Sequence, residues 1–180
     1  MPSCAEARPG RCPCCAAAAR PIGGRLVIVG HGVETRQHLG PQAARARPEV
    51  TAVTVRRYRC RACRAVLVVG PAGLVRGRWY GGGAIAAALA LYARGESSGA
   101  VRAATSPSSV VGGSAVDRWT TIARWIDAAQ AGTLFGVAGV ASSDRRRVAE
   151  HVSLALAARA GRQFGDDLVT KAFEGAVIAA

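Results

Sequence analysis

The sequence contains very little lysine, methionine and aromatic side chain. Of its 24 basic residues 23 are arginine, one methionine is present, and 5% of the 180 residues are aromatic. Any core must therefore be built mainly from Ala, Val, Leu and Ile, which bury little apolar area per residue. A chain of this length forms one ordinary core, or a small metal-stabilised module followed by a compact helical domain.

Long hydrophobic runs are also missing. The longest uncharged apolar run, at 84–93, is about half of what a membrane-spanning helix needs, and the first ten residues lack the basic and then apolar pattern of a signal peptide. We therefore expect a cytoplasmic protein with no membrane partner. Cysteines stay reduced in that compartment, so paired cysteines favour a metal or redox site over a disulfide framework.

Four of the six cysteines form two Cys-x-x-Cys pairs. Cys12 and Cys15 make the first pair and Cys60 and Cys63 the second, with strand-like sequence between them. Two such pairs predict a zinc ribbon, in which four thiolates hold one structural Zn²⁺. Because four thiolates leave no open position on the metal, no catalytic zinc is expected.

Other residues are alternative ligands. Cys14 lies within the first pair and could exchange with either neighbour, although only Cys12 and Cys15 reproduce the spacing of the second pair. His31 and His38 are further alternatives, but a histidine beside glycine in a turn is more often an ordinary polar residue. Cys4 is expected to lie in a disordered tail.

The pattern along the chain predicts an α+β fold. RLVIVG (25–30), TAVTVRRYRC (51–60) and AVLVVG (65–70) predict three short antiparallel strands, with a tight turn at the glycines around His31 and a loop at 41–50. From residue 83 the period becomes helical. The predicted organisation is a zinc ribbon at 1–78, a helix-turn-helix-like domain at 79–132 and a helical extension at 133–180.

Five helices are predicted in the second half of the sequence. GAIAAALALYARG predicts a buried first helix that stops at Gly95, and Ser97 or Ser98 predicts the cap of a short second helix. A third helix is predicted over 114–128, with a DNA-reading face that contains Arg118, Thr121 and Arg124. Trp119 and Trp125 are predicted to pack in the core. Later helices are expected to begin near Ser143 or Asp144 and near Asp166.

Positive charge is concentrated in the cysteine-containing part. Residues 1–78 hold 14 arginines and three glutamates, a net charge of +11, whereas the other 102 residues carry +2. This surplus suits a polyanion such as nucleic acid, although arginine-rich composition can also reflect codon usage. The expected phosphate contacts are Arg56, Arg57, Arg59, Arg61 and Arg64.

Several motifs together resemble the zinc-ribbon and helix-turn-helix front halves of bacterial insertion-sequence transposases and their small stand-alone relatives. They are CPCC, GHGVETR, RRYRCRAC, YGGGAIAAALALYARGESSGAVR and RWTTIARWIDAA, which lie between about residues 10 and 130. The resemblance implies DNA binding, zinc ligation by Cys12, Cys15, Cys60 and Cys63, and a recognition helix at 114–128. Ala16 departs from the glycine that commonly follows such a cysteine turn.

About 50 residues of the sequence follow the predicted recognition helix, fewer than the nuclease domain of a transposase needs, so we expect no enzyme activity. We therefore expect a zinc-dependent DNA-binding accessory or regulatory protein of mobile-element origin. Two alternatives remain. One is a zinc-ribbon module that docks on a transposase or another protein. The other is a thiol redox sensor in which, on oxidation by a peroxide, Cys14 forms a disulfide with a neighbouring cysteine and the zinc leaves.

Overall fold

The fold combines a three-stranded antiparallel sheet with five helices in the described residues. A computed structural model describes residues 3–108, 119–161 and 167–179. The strands are β1 (Ile28–Gly40), β2 (Glu49–Cys60) and β3 (Val66–Val69), in the spatial order β1, β2, β3. The helices are α1 (Gly82–Ala93), α2 (Ser98–Thr105), α3 (Thr120–Gln130), α4 (Arg145–Arg159) and α5 (Leu168–Ala179). The predicted α+β class is confirmed.

Chain contacts divide the protein into two compact units. Unit 1 contains residues 1–37 and 52–71, and unit 2 contains residues 38–51 and 72–180. Strands β1 and β2 each contribute residues to both units. The three-domain division at residues 78 and 132 stays a prediction.

The core of unit 1 is small and includes two cysteines. Its main cluster of buried residues consists of Cys12, Ala19, Ile28, Tyr58, Cys60 and Leu67, and Val55 on β2 is also buried. Cross-strand pairing sets this inside face, because Tyr58 lies opposite Leu67 while the neighbouring pairs Arg57 with Val68 and Arg59 with Val66 lie on the other face. So few buried apolar groups supply little stabilisation by themselves.

The predicted tight turn around His31 is wrong. β1 continues through His31 and Gly32 to Gly40, and β1 and β2 are 13 and 12 residues long rather than short. Gly32 adopts φ +93° within the strand, a conformation that glycine allows and that often marks a strand irregularity. The glycine signal was local, whereas the pairing of β1 with β2 is a nonlocal interaction that overrides it. The predicted loop is confirmed up to Pro48.

Unit 2 is organised around α1, which is buried over its first nine residues. Helices α2, α3, α4 and α5 all pack on it, and α4 packs extensively on α5. Alanine around the whole circumference lets α1 accept neighbours on every side, as predicted for a buried first helix. Tyr80 adds an aromatic cluster with Trp119 and Trp125, whose ring centroids are 5.2 Å apart.

Candidate metal centre

The first cysteine pair lies in a tight turn that we call knuckle 1 (Cys12–Ala17). The N–H of Cys12 donates to the carbonyl of Ala17 at 2.9 Å, and the N–H of Ala16 donates to the carbonyl of Cys12 at 2.8 Å. A bridge between Arg11 and Ala18 closes the base of the turn. This backbone geometry holds both thiols on the same short loop.

The second pair lies in knuckle 2 (Cys60–Ala65), which repeats the same hydrogen bonds. The N–H of Cys60 donates to the carbonyl of Ala65 at 2.9 Å, and the N–H of Arg64 donates to the carbonyl of Cys60 at 2.8 Å. Knuckle 2 connects the end of β2 to β3. The N–H of Arg61 also donates to the carbonyl of Val27, just before β1, at 2.9 Å.

Four thiols from the two knuckles converge. The ligand atoms of Cys12, Cys15, Cys60 and Cys63 all lie within 4.8 Å of one another. The Sγ atoms of Cys12 and Cys63 are 3.7 Å apart, and those of Cys15 and Cys60 are 3.8 Å apart. All four cysteines are free thiols. A tetrahedral Zn site with sulfur ligands has sulfur–sulfur edges of about 3.8 Å. The four thiols could therefore hold a metal ion.

Each pair contains one buried and one exposed cysteine. Cys12 and Cys60, the first cysteine of each pair, are buried in the core of unit 1, whereas Cys15 and Cys63 are exposed. The site thus lies at the surface with one side against the core. A bound metal would connect the exposed turns to that core.

Backbone hydrogen bonds and neighbouring thiols act differently on the four groups. The N–H of Cys15, with a smaller contribution from the N–H of Cys14, lowers the pKa of Cys12 to about 6. At Cys63 the hydrogen bond from the N–H of Ala65 acts to lower the pKa. Hydrogen bonds with the other three thiols and lost solvation act more strongly in the opposite direction and raise the pKa of Cys63 to about 12. At Cys15 the N–H of Ala17 acts in the lowering direction, yet the net pKa is raised.

The alternative ligands lie outside this group. Among the described residues, the group of potential metal ligands consists of the four paired cysteines. Cys14 is exposed and Cys4 is half-buried, and the carbonyl of Cys4 accepts a hydrogen bond from the Tyr58 hydroxyl at 2.8 Å. His31 is exposed on β1. The imidazole of His38 lies beside Gln42 and Thr51 in unit 2.

The predicted phosphate contacts fall in one region of unit 1 but not on one face. Arg57 and Arg59 project from one face of the sheet, whereas Arg56 projects from the opposite face with Tyr58. Arg59, Arg61 and Arg64 are exposed, and Arg57 makes a 3.8 Å ion pair with Glu34. Arg61 and Arg64 belong to knuckle 2. Three exposed arginines therefore lie within or next to the second cysteine turn.

The described residues include part of the predicted DNA-reading helix. Arg118 lies outside them, as does the predicted helix start at residue 114. Helix α3 begins at Thr120. Trp119 before it has an extended backbone, so the prediction of helix over 114–128 is wrong at this residue. Arg124 is exposed and Thr121 is half-buried. Both α2 and α3 pack on α1. A helix-turn-helix arrangement stays a prediction.

Comparison with protein-family models, curated proteins and solved structures gives no match. The site is therefore defined by its own geometry.

Sequence reasoning missed the residues two positions after the second cysteine of each pair, Ala17 and Ala65, whose N–H groups bond the exposed thiols. Their identical offset in the two pairs is a signal that would have found them. No helix in the described part of the chain is long and apolar enough to cross a membrane.

Proposed function

We propose that the protein binds one Zn²⁺ through Cys12, Cys15, Cys60 and Cys63 and that the metal-stabilised unit binds DNA. The observation that carries the metal assignment is the convergence of four free thiols from two knuckles with identical backbone bonds. An all-thiolate set favours Zn²⁺ over hard cations such as Mg²⁺ or Ca²⁺. The metal would be structural, since four thiolates fill its coordination shell.

The metal would join two segments that are far apart in sequence. Knuckle 1 precedes the sheet, whereas knuckle 2 lies between β2 and β3. Because the core cluster of unit 1 contains six buried residues among those described, and two of them are Cys12 and Cys60, metal binding would supply much of its folding free energy. Zinc removal would then unfold the surface that carries the arginines.

Charge supports a polyanionic partner. Unit 1 contains ten arginines and two glutamates, a net charge of +8, and a zinc ion with four thiolates would leave about +6. Knuckle 2 presents Arg61 and Arg64 to solvent, with Arg59 exposed just before it. Rigid arginines on a small folded module suit contacts to the DNA backbone, which fix position without reading sequence.

A mobile-element origin rests on the resemblance to the front halves of insertion-sequence transposases. In that interpretation the protein is an accessory or regulatory factor, and Arg118, Thr121 and Arg124 would supply contacts in the DNA groove. A transposase is then the proposed second partner. The exposed position of Arg124 on α3 agrees with this role.

The test measures zinc content and DNA binding together. Purified protein is analysed for zinc per chain, and a labelled duplex is titrated at two salt concentrations before and after zinc removal. We expect one zinc per chain and salt-sensitive binding that is lost with the metal. The Arg59→Ala/Arg61→Ala double variant should bind all sequences more weakly and reduce the salt slope by about two. The matched control is Arg94→Ala, at an exposed position in unit 2.

The outcomes separate the two halves of the proposal. Zinc binding without DNA binding would leave the metal site intact and favour a protein-docking module. An unchanged affinity in the double variant would remove the arginine surface from the proposal. A protein that contains no zinc and takes up none would contradict the metal assignment.

A further inference from the structure

Strand β1 has an open outer edge. Within the part of the chain that the structure describes, β2 is its neighbour in the sheet. On the other side, backbone hydrogen bonds occur at the two ends, where Val27 bonds Ala19 and Leu39 bonds Trp79. Between these ends the strand offers a row of backbone N–H and C=O groups. Such an edge is a template for another strand.

The open segment is also exposed on its faces. Every residue from 31 to 37 is exposed, including Val33 at 58% of its surface. Five positions of this stretch, 33–37, follow Gly32, where the positive φ interrupts regular strand geometry. The sequence of these five is Val-Glu-Thr-Arg-Gln. They form the regular part of the open edge.

We propose that β1 pairs with β1 of a second copy of the chain, antiparallel and about a two-fold axis at Thr35. Successive residues of a strand direct their backbone N–H and C=O groups to opposite edges of the sheet. When two identical strands pair antiparallel along the same edge, each pair therefore joins two odd-numbered or two even-numbered residues, and one residue lies opposite its own copy in the partner strand. With Thr35 opposite Thr35, Glu34 of each copy lies opposite Arg36 of the other. Cross-strand threonine pairs and opposite-charge pairs both stabilise sheets.

The same two charges disfavour the adjacent registers. An axis at Glu34 would place two glutamates opposite each other, and an axis at Arg36 would place two arginines opposite each other. Like charges directly opposite are destabilising. The pattern therefore selects the register at Thr35.

Charge also favours a second copy over nucleic acid at this edge. The stretch 31–37 contains one glutamate and one arginine and has no net charge, in contrast to the strongly positive unit 1 around it. A polyanion gains little from such a segment. In an identical strand Arg36 of each copy meets Glu34 of the other, which otherwise pairs with Arg57 of its own β2 at 3.8 Å. The inference does not depend on the proposed DNA binding. A five-residue contact predicts a weak, concentration-dependent dimer.

The experiment uses the full, metal-loaded chain after nuclease treatment, with sedimentation analysis over a range of concentrations. We expect the wild type to dimerise and the affinity to fall with added salt. Glu34→Arg and Arg36→Glu should each weaken dimerisation by about tenfold or more, because each change turns two attractive pairs of the symmetric interface into repulsive ones. Arg25→Glu, an exposed position outside β1, should leave the affinity unchanged.

Charge complementation makes the test specific. An equimolar mixture of the Glu34→Arg and Arg36→Glu variants should form a heterodimer. In that heterodimer the arginine introduced into one chain faces the glutamate introduced into the other, and the unchanged Arg36 of the first chain faces the unchanged Glu34 of the second. The double variant that exchanges both charges should recover self-association.

Circular dichroism establishes that each variant is folded. A wild type that stays monomeric at all concentrations, a dimer that survives either single change, or variants that do not associate when mixed would overturn the proposal. None of these outcomes bears on zinc or DNA binding.

Discussion

Ala16 and Arg64 occupy equivalent positions in the two knuckles. Each donates its backbone N–H at 2.8 Å to the carbonyl of the first cysteine of its pair, and each has a left-handed backbone, with φ values of 58° and 64°. The two knuckles are therefore built on the same turn, which explains why the thiols approach one another as two matching pairs. Neither position contains the glycine that this backbone favours.

We expect Ala16→Gly to stabilise unit 1 by up to about 1 kcal/mol. A residue with a Cβ is disfavoured in the left-handed region by about 1–2 kcal/mol, and the entropy of glycine in the unfolded chain cancels part of the gain. Thermal unfolding of the metal-loaded protein measures the effect. Ala17→Gly is the matched control, since Ala17 has no positive φ, and it should be neutral or destabilising. A lower unfolding temperature for Ala16→Gly would contradict the argument.

The four converging cysteines could be predicted from the sequence because their spacing is local and covalent. Two residues between cysteines suffice to form a knuckle, whatever the remainder of the chain does. The left-handed turn at Ala16 and Arg64 could not be predicted, since neither residue type favours it. The course of β1 was also predicted wrongly at His31, because its pairing depends on β2, which begins 18 positions further along the chain at Glu49.

In unit 2 the local signals at the end of α1 and at the starts of α2 and α4 were reliable. Ser97 and Asp144 accept backbone N–H bonds at the starts of α2 and α4 as predicted, and Gly95 has the positive φ expected beyond the end of α1. Trp119 and Trp125 are buried, as expected for packing residues. Which helices pack on α1 could not be predicted, because alanine on every face selects no particular neighbour.

Loss of one of the four converging cysteines should have a different effect from loss of the neighbouring Cys14 thiol. Cys15→Ser should abolish tight binding of one zinc per chain and destabilise unit 1, because Cys15 belongs to the converging group. Cys14→Ser should retain full zinc content, since Cys14 is exposed and outside that group. Elemental analysis after gel filtration measures both. Zinc loss in Cys14→Ser would instead show that Cys14 takes part in ligation.

Metal affinity should rise with pH. Near pH 7 Cys12, with a pKa of about 6, has already lost its proton, whereas Cys63, with a pKa of about 12, and Cys15, with a raised pKa, still carry theirs. Binding must release at least these two protons, so the apparent dissociation constant should fall about 100-fold or more for each pH unit above neutrality. Below about pH 6 Cys12 also takes up a proton and the dependence becomes steeper.

Competition with a chelator of known protonation constants measures this dependence, with Cys14→Ser as the control that should give the same slope. The direction follows from the chemistry of the ligands, because thiolates bind the metal and thiols do not. An apparent affinity that is constant between about pH 6 and 8 would mean that all four groups are already ionised in the metal-free protein.

Gly175→Ala should destabilise unit 2. Gly175 lies on α5 where this helix packs against α4, and a Cβ added there would overlap the backbone carbonyl of Leu156. A backbone atom cannot rotate aside as a side chain can, so the two helices would have to separate. We expect a loss of about 2–3 kcal/mol, at the upper end of typical overpacking costs. The fluorescence of buried Trp119 and Trp125 reports unfolding of this unit. Gly10→Ala is the control, because no atom lies within 4 Å of its added Cβ; equal stability of both variants would show that α4 and α5 are not so closely packed.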